Sequence, residues 1–361
     1  MRKALVAGAL ALAALLTSAT GATAVSAEAE AVPYTGWTWN ISGHKLNHGR
    51  VDSGLIEEAV GSIRRAENAV DFVSFNEICH NQYRAVRTQL ASWNPDNPSY
   101  ARFQEAIPAG SKGADGRSIC GGESFGKALF SRHQLGGAEY RTFAQESGLS
   151  YWSADGVEHP VMSGLLCAPL VARSNMKFCS VHISPISTSD VMSEDGKTVL
   201  VEGRPYGYRQ LVELDGILDG FAAAGQTYMI AGDFNAEPDY DRLNRFYAVE
   251  VPEPSGSRGD KPNYGDHREL DDLDASCPGY GEETSANPVA GLPCGMARPK
   301  IDMIFARKDR LASPDYSADS KAIPLCTEID AKGALKPGNT EPCSDHRVLI
   351  GRATLLVDPA T

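Results

Sequence analysis

Met229-Ile230-Ala231-Gly232-Asp233-Phe234-Asn235 reads as a strand that ends in a polar cluster. A short unbroken apolar run is the pattern of a strand buried on both faces, and Gly-Asp-x-Asn closes it abruptly. The same arrangement recurs outward from this stretch. Strand-like segments are expected at Trp37–Ser42, Asp71–Ile78, Gly126–Arg132, Met162–Ala168, Lys177–Ser184, Thr227–Asn235, Lys300–Ala306 and Arg347–Leu356. Several of them carry a polar residue at an end: Asn40, Glu77, His182, Asp233 with Asn235, Asp302, and Ser344-Asp345-His346. Strand ends are where loops gather chemistry over the edge of a sheet.

Helical spacing separates some of these strands. Ser53 is placed to cap a helix running to about Asn68, with Leu55, Ile56, Ala59, Val60 and Ile63 on one face. Further helices are expected over 81–93 and 206–224. The two consecutive runs near 162–184 predict an antiparallel hairpin. Helices and strands without strict alternation point to layered α/β architecture with mixed sheets. The 361-residue chain has no internal repeat or Ser/Pro-rich linker, so one domain is expected, with a long loop at about 250–298.

The first residues set the compartment. Arg2 and Lys3 precede an apolar run from Ala4 to Leu16, and small residues lead to a cleavage site after Ala27. This is the layout of a secretory signal peptide over residues 1–27, leaving 28–361 as the mature, extracellular chain without stable membrane insertion. In an oxidising compartment the eight cysteines, which lack tight C-x-x-C pairs, read as four disulfides. Eight cysteines allow 105 connectivities. Nearest neighbours are the preferred reading, 79–120, 167–179, 277–294 and 326–343, with Cys167 facing Cys179 across the expected hairpin.

The chain carries 34 Lys and Arg against 46 Asp and Glu, a net charge of −12 that deepens once Arg2 and Lys3 are removed. That excludes coating of DNA or anionic membrane by bulk charge. It leaves room for an enzyme that meets phosphate through a cation.

Taken singly, Asn40 passes as a turn residue, Glu77 as a strand-end carboxylate and His182 as a satisfied rim histidine. Asp302 is different, because a carboxylate between Ile301 and Met303-Ile304-Phe305 is expected to be buried and needs a partner. The order of the whole set is more specific. Thr38-Trp39-Asn40, Asn76-Glu77, Phe130-Ser131-Arg132, Val181-His182, Gly232-Asp233-Phe234-Asn235, Ile301-Asp302 and Ser344-Asp345-His346 resemble the successive motifs of the endonuclease/exonuclease/phosphatase superfamily, typified by deoxyribonuclease I.

The resemblance spans roughly 34–356 and implies a four-layer αββα sandwich of two mixed sheets with helices outside. It also implies a divalent-metal-dependent hydrolase of phosphate esters. By that likeness Glu77 is the principal metal carboxylate, with Asn40 and Asp345 completing the site. Oxygen ligands of this kind suit Mg²⁺, with Mn²⁺ or Ca²⁺ as alternatives. Asp233 positions the attacking water, while Asn235, Asn40 and Arg132 contact phosphate. His346 is the general base or the charged stabiliser, oriented by Asp302, and His182 stands on the opposite side of the phosphorus. In the deoxyribonuclease I pattern a glutamate supports the counterpart of His182; Glu105 and Glu123 are the candidates here.

Nucleic acid is the first-choice substrate and a monomer the expected state. His44-Lys45-Leu46-Asn47-His48-Gly49-Arg50 forms a basic cluster beside Asn40, and Arg84, Arg87 and Arg209 are further phosphate candidates. A sphingomyelinase-like phospholipase C is the second reading, with Tyr151-Trp152 as its interfacial tip. Phosphomonoester or inositol-phosphate hydrolysis is the third. A binding protein that kept the fold and lost the chemistry predicts gaps in the catalytic set, and the set has none.

Overall fold

A computed structural model describes residues 28–65, 67–93, 99–185, 190–192, 198–200, 207–239, 241–259 and 262–359. The expected signal peptide lies outside the described residues. The strands of the two main sheets are β1 (Glu30–Asn40), β2 (Phe72–Cys79), β3 (Ala101–Ile107), β4 (Phe125–Ser131), β5 (Glu139–Thr142) and β6 (Gly164–Pro169). They continue with β7 (Met176–His182), β8 (Thr227–Asp233), β9 (His267–Glu269), β10 (Asp302–Arg307), β11 (Ser317–Lys321) and β12 (Val348–Val357). The α-helices are α1 (Leu55–Arg64), α2 (His80–Gln89) and α3 (Tyr208–Ala223).

One six-stranded sheet runs β11-β12-β1-β2-β4-β3 and the other β9-β10-β8-β7-β6-β5. Each is mixed in the same way. A central parallel pair, β1 with β2 or β7 with β8, is flanked by antiparallel neighbours. The alternation along each strand explains the layers. Tyr228 and Ile230 point outward to the α3 side, where Leu211, Leu214 and Leu218 pack, while Met229 and Ala231 point into the space between the sheets. Trp37 and Trp39 face α1 and α2 on the outer side of the other sheet, and Tyr34 faces inward. Helix, sheet, sheet and helix therefore stack as the expected αββα sandwich. A strand apolar on both faces is what this burial demands.

Local departures have local causes. The first helix begins at Leu55 behind Gly54 (φ 97°) with no side-chain cap, because Ser53 is turned to Asn47. It ends at Arg64 rather than Asn68, whose Nδ2 donates instead to the Ser62 carbonyl at 2.7 Å. The 250–298 loop is not structureless: it supplies the edge strand β9. The disulfides pair 79–120, 167–179, 277–294 and 326–343, with Cys167 opposite Cys179 on β6 and β7. No helix among the described residues is long and apolar enough to cross a membrane.

Candidate active site

Topology assembles the site. Parallel pairing places Asn40 beside Asn76 at the carboxyl end of β1 and β2, and His182 beside Asp233 at the carboxyl end of β7 and β8. Two antiparallel neighbours then bring their beginnings to the same edge. Asp302 opens β10 opposite Asp233, and His346 precedes β12, which returns along β1. Polar pins join the two sheets there: the Asp233 amide donates to Asn76 Oδ1 at 2.8 Å, and Asn76 Nδ2 donates to Ser180 Oγ at 3.3 Å.

Backbone geometry at the edge is special. The β2 register shifts between Phe75 and Ile78, and Glu77 within that bulge has φ 54°. Asn235 has φ 45°. Non-glycine residues in the left-handed region cost about 1–3 kcal/mol each and persist where the surroundings hold them. Gly232 is required: a Cβ there would lie 1.9 Å from the Val181 carbonyl oxygen. This is the physical content of Gly-Asp-x-Asn.

Asp302 is buried, its Oδ2 accepts from the His346 imidazole Nδ1 at 2.9 Å, and its Oδ1 has no hydrogen-bond partner among the described residues. Thr284 Oγ1 fixes the start of its strand by accepting from the Ile301 and Asp302 amides, each at 2.9 Å. His346 Nε2 faces Asp233 Oδ2 at 3.7 Å. Burial by itself lowers the His346 imidazole, but the Asp302 and Asp233 charges outweigh it and hold it at about 10. Burial pushes the Asp233 and Glu77 carboxyls up.

Asn40 donates from Nδ2 to Glu77 Oε1 at 3.2 Å and to Asp233 Oδ2 at 3.0 Å, and its Oδ1 accepts from the Ser42 amide. Asp345 accepts from Ser42 Oγ and pairs with Lys45 Nζ at 3.0 Å. Burial raises its carboxyl, yet those contacts and the His346 charge bring it below the ordinary range. The Asn235 amide N–H donates to Asp233 Oδ1 at 2.8 Å and its Nδ2 to the Ile183 carbonyl at 2.8 Å.

His182 Nε2 lies 3.6 Å from Asp233 Oδ2 and 3.9 Å from Glu77 Oε1. Burial, with Lys127 and His346 charges nearby, pushes it down to about 3. Neither expected glutamate supports it. Glu123 is drawn to Arg84 and His80, and Glu105 is an exposed residue of the edge strand β3. A buried lysine, Lys127 on β4, occupies the neighbourhood and donates to the Gly164 carbonyl.

Arg132 is not brought to the cluster. Strand β4 runs antiparallel to β2, so Ser131 faces Phe72 and Arg132 emerges at the opposite end, over the Trp93 ring at 5.7 Å. The residues not foreseen are Ser42, Thr284 and Lys127, while Asn76, part of the Asn76-Glu77 motif, carries no expected role of its own. A lysine inside Phe125-Gly126-Lys127-Ala128-Leu129-Phe130 was a legible anomaly; Thr284 in the long loop carried no signal.

The cluster suits a divalent cation. Glu77, Asp233, Asp302 and Asp345 converge, and the cations acting on them are His346 and Lys45. Such a surplus of carboxylate, buried at Asp233 and Asp302 and part-buried at Glu77 and Asp345, with one oxygen orphaned on Asp302, suits a hard positive charge. Potential ligand atoms of Asp233, Asp302 and His346 lie within 4.8 Å of one another. That group is distinct from the expected Asn40, Glu77 and Asp345.

Comparison with known proteins bears on this geometry. The model of the Endonuclease/Exonuclease/phosphatase family matches residues 37–346. TDP2 from C. elegans superposes with a TM-score of 0.50 at 10% identity, over 89% of this chain and 75% of that one. A truncated Caenorhabditis elegans TDP2 gives 0.50 at 11% identity, over 89% and 98%. An endonuclease/exonuclease/phosphatase from Beutenbergia cavernae DSM 12333 gives 0.49 at 17% identity, over 91% and 73%. At these identities the likeness is one of fold. No curated protein matches the chain.

Proposed function

The chain belongs to the endonuclease/exonuclease/phosphatase family, and from that premise we propose that it is a secreted, Mg²⁺-dependent phosphodiesterase acting first on nucleic acid. The observation that carries the reading is the convergence of Asn40, Glu77, His182, Asp233, Asn235, Asp302, Asp345 and His346 at one sheet edge, with His346 clamped by Asp302.

The residues divide the work. Asp233, kept basic enough by burial, accepts the proton of the attacking water. As oxygen attacks phosphorus, negative charge grows on the non-bridging oxygens, and the ester oxygen opposite leaves with the bonding electron pair and takes a proton from solvent, to which Asp233 later returns its own. His346, protonated at neutral pH, is the charged stabiliser of that state rather than the base. His182, held neutral, donates an N–H hydrogen bond from the other side. The Asn235 side chain, already tied to Ile183, is fixed to meet a phosphate oxygen. Glu77, with Asn40 and Asp345, would hold a divalent cation, which would supply neutralisation of the phosphate charge.

The nucleic-acid choice draws on the loop beside Asn40. Beyond it a crevice of about 480 Å³ is lined by His48, Arg50, Arg117 and Lys332, a local basic surface on an acidic protein. The phospholipid reading loses its anchor, since Tyr151 stacks on His159 and packs against Ile107 and Ile119 instead of projecting. Four disulfides that close all eight cysteines support export; residues 28–361 as one domain and a monomeric state complete the reading.

The test is one panel at fixed Mg²⁺: plasmid DNA, RNA, sphingomyelin and phosphatidylinositol vesicles, and inositol phosphates. Plasmid nicking that EDTA silences and Mg²⁺ restores is the expected result. Cleavage of lipid but not nucleic acid overturns the substrate, and indifference to chelation overturns the metal.

A further inference from the structure

Beside the catalytic edge, on the His182 side, lies a cavity of about 290 Å³ whose wall includes both Glu77 and His182. Its interior is apolar: Ile107, Ile119, Phe125 and Val161 line it, and Leu149, 43% exposed, stands at its mouth. The Cys79–Cys120 disulfide packs behind Ile107 and Ile119, so this lining is tied to the strand that carries Glu77.

Apart from Glu77 and His182 at the phosphate end and Ser150, the polar lining is engaged with the protein, His44 Nδ1 accepting from the Cys120 amide at 3.2 Å. Ser147 Oγ accepts from the Leu149 amide at 3.1 Å, and the hydroxyls of Ser163 and Ser184 donate to the His182 and Ser147 carbonyls. Lys127 donates its amine to the Gly164 carbonyl. A nucleobase seated here would meet few free partners for its polar edge, whereas an apolar body would meet matched walls. The volume exceeds the roughly 150 Å³ that accommodates a benzene ring.

We propose that this cavity holds an apolar, ring-sized substituent carried directly on the substrate phosphate, so that the preferred substrates are phosphoesters with one hydrophobic ester group. The inference rests on the phosphodiesterase reading only for the position of the phosphate, at Glu77 and His182, and it ranks such esters above plain nucleic acid, which carries no apolar ester group. It adds that the group on the His182 side is selected by burial and not by base recognition.

Calorimetry in Mg²⁺ with phenylphosphonate, methylphosphonate and thymidine 5′-phosphate tests it. Phenylphosphonate is expected to bind at least about ten-fold tighter than methylphosphonate, the gain from burying the ring. Filling the cavity with Val161→Phe, or narrowing its mouth with the surface change Leu149→Trp, should reduce that ratio below three-fold and leave methylphosphonate affinity unchanged. A wild-type ratio near one, binding of neither phosphonate, or tighter binding of thymidine 5′-phosphate than of phenylphosphonate overturns the proposal. Hydrolysis is followed separately on the phosphodiester panel. Retained hydrolysis without a phenyl preference rejects the cavity alone, and a phenyl preference without hydrolysis rejects the reaction while the cavity assignment stands.

Discussion

Two histidines face the same carboxylate from opposite sides and live in opposite electrostatic worlds. His346 has Asp302 at 2.9 Å behind it and Asp233 at 3.7 Å in front. His182 stands at 3.6 Å from the same Asp233 oxygen, but the charges that act on it are Lys127 and His346. The His346 ring is buried and the His182 ring largely so, and desolvation alone disfavours charge in both. The partners decide: one imidazole is held at about 10 and the other at about 3. One residue type thus supplies a fixed cation and a neutral donor within a single site, a division that lets acid and electrostatic work proceed at one pH.

The largest test removes the difference at its stronger end. His346→Ala and Asp233→Ala should each lower turnover by at least about a thousand-fold, the upper range for lost acid–base and electrostatic groups. Asp302→Asn should follow them closely, because it keeps the shape and removes the charge that holds the ring protonated. Near-normal turnover in any of the three, with the urea midpoint unchanged, would remove the assigned role.

The next test sets the two sides against each other by pH. The folded-state value of His346 lies above the ordinary 6.5, so its stabilisation is complete below pH 6.5 and is lost as pH rises through about 10. The slope is at most about 1.4 kcal/mol per pH unit. His182 has the opposite sign. Its folded-state value near 3 lies below 6.5, so protonation of the unfolded chain costs stability as pH falls from 6.5 toward 3. Urea midpoints of wild type and His346→Gln should converge between pH 6.5 and 9.5. Those of wild type and His182→Gln should diverge in favour of the variant below pH 6. Parallel curves in both comparisons would show that the partners do not set the two rings apart.

Much of this was legible in the sequence, for a physical reason. Strands buried on both faces must be continuous apolar runs, so Met229-Ile230-Ala231 and Ile301 to Phe305 announced themselves, and the polar residue that ends such a run is at the sheet edge by necessity. Asn40, Glu77, His182, Asp233, Asn235, Asp302, Asp345 and His346 could be placed in this way. Arg132 ends a run too, but which edge a strand end reaches depends on pairing direction, and β4 is antiparallel to β2. The support for His182 was sought among glutamates because the deoxyribonuclease I pattern that the motifs resemble has one there. The fold instead supplies Lys127, and only the packing of β4 against β6, where the lysine meets Gly164, reveals it. Thr284 and Ser42 orient catalytic groups through single hydroxyls, and hydroxyls in loops carry no pattern.

Lys127 also gives the smallest and most discriminating test of the asymmetry. Burial, with no carboxylate partner among the described residues, pushes its amine down to about 7, from an ordinary 10.5. A base with a lowered folded-state value destabilises the protein below that value, and the penalty is relieved as pH rises from about 7 to about 10.5. Lys127→Met keeps the length of the chain and removes the charge. The variant should therefore be more stable than wild type at pH 6, by about 1–3 kcal/mol as for other buried charges replaced by apolar groups, and the gain should fade by pH 10. Its second effect is on the neighbour: without the lysine charge the His182 ring should titrate closer to 6.5, read from its Cε1 proton by NMR. Turnover should change by less than about ten-fold, since the lysine acts on the ring's charge and not on the phosphate. If Lys127→Met instead loses activity as His346→Ala does, the lysine belongs to the chemistry, and the neutral side of the site has a catalytic cation of its own.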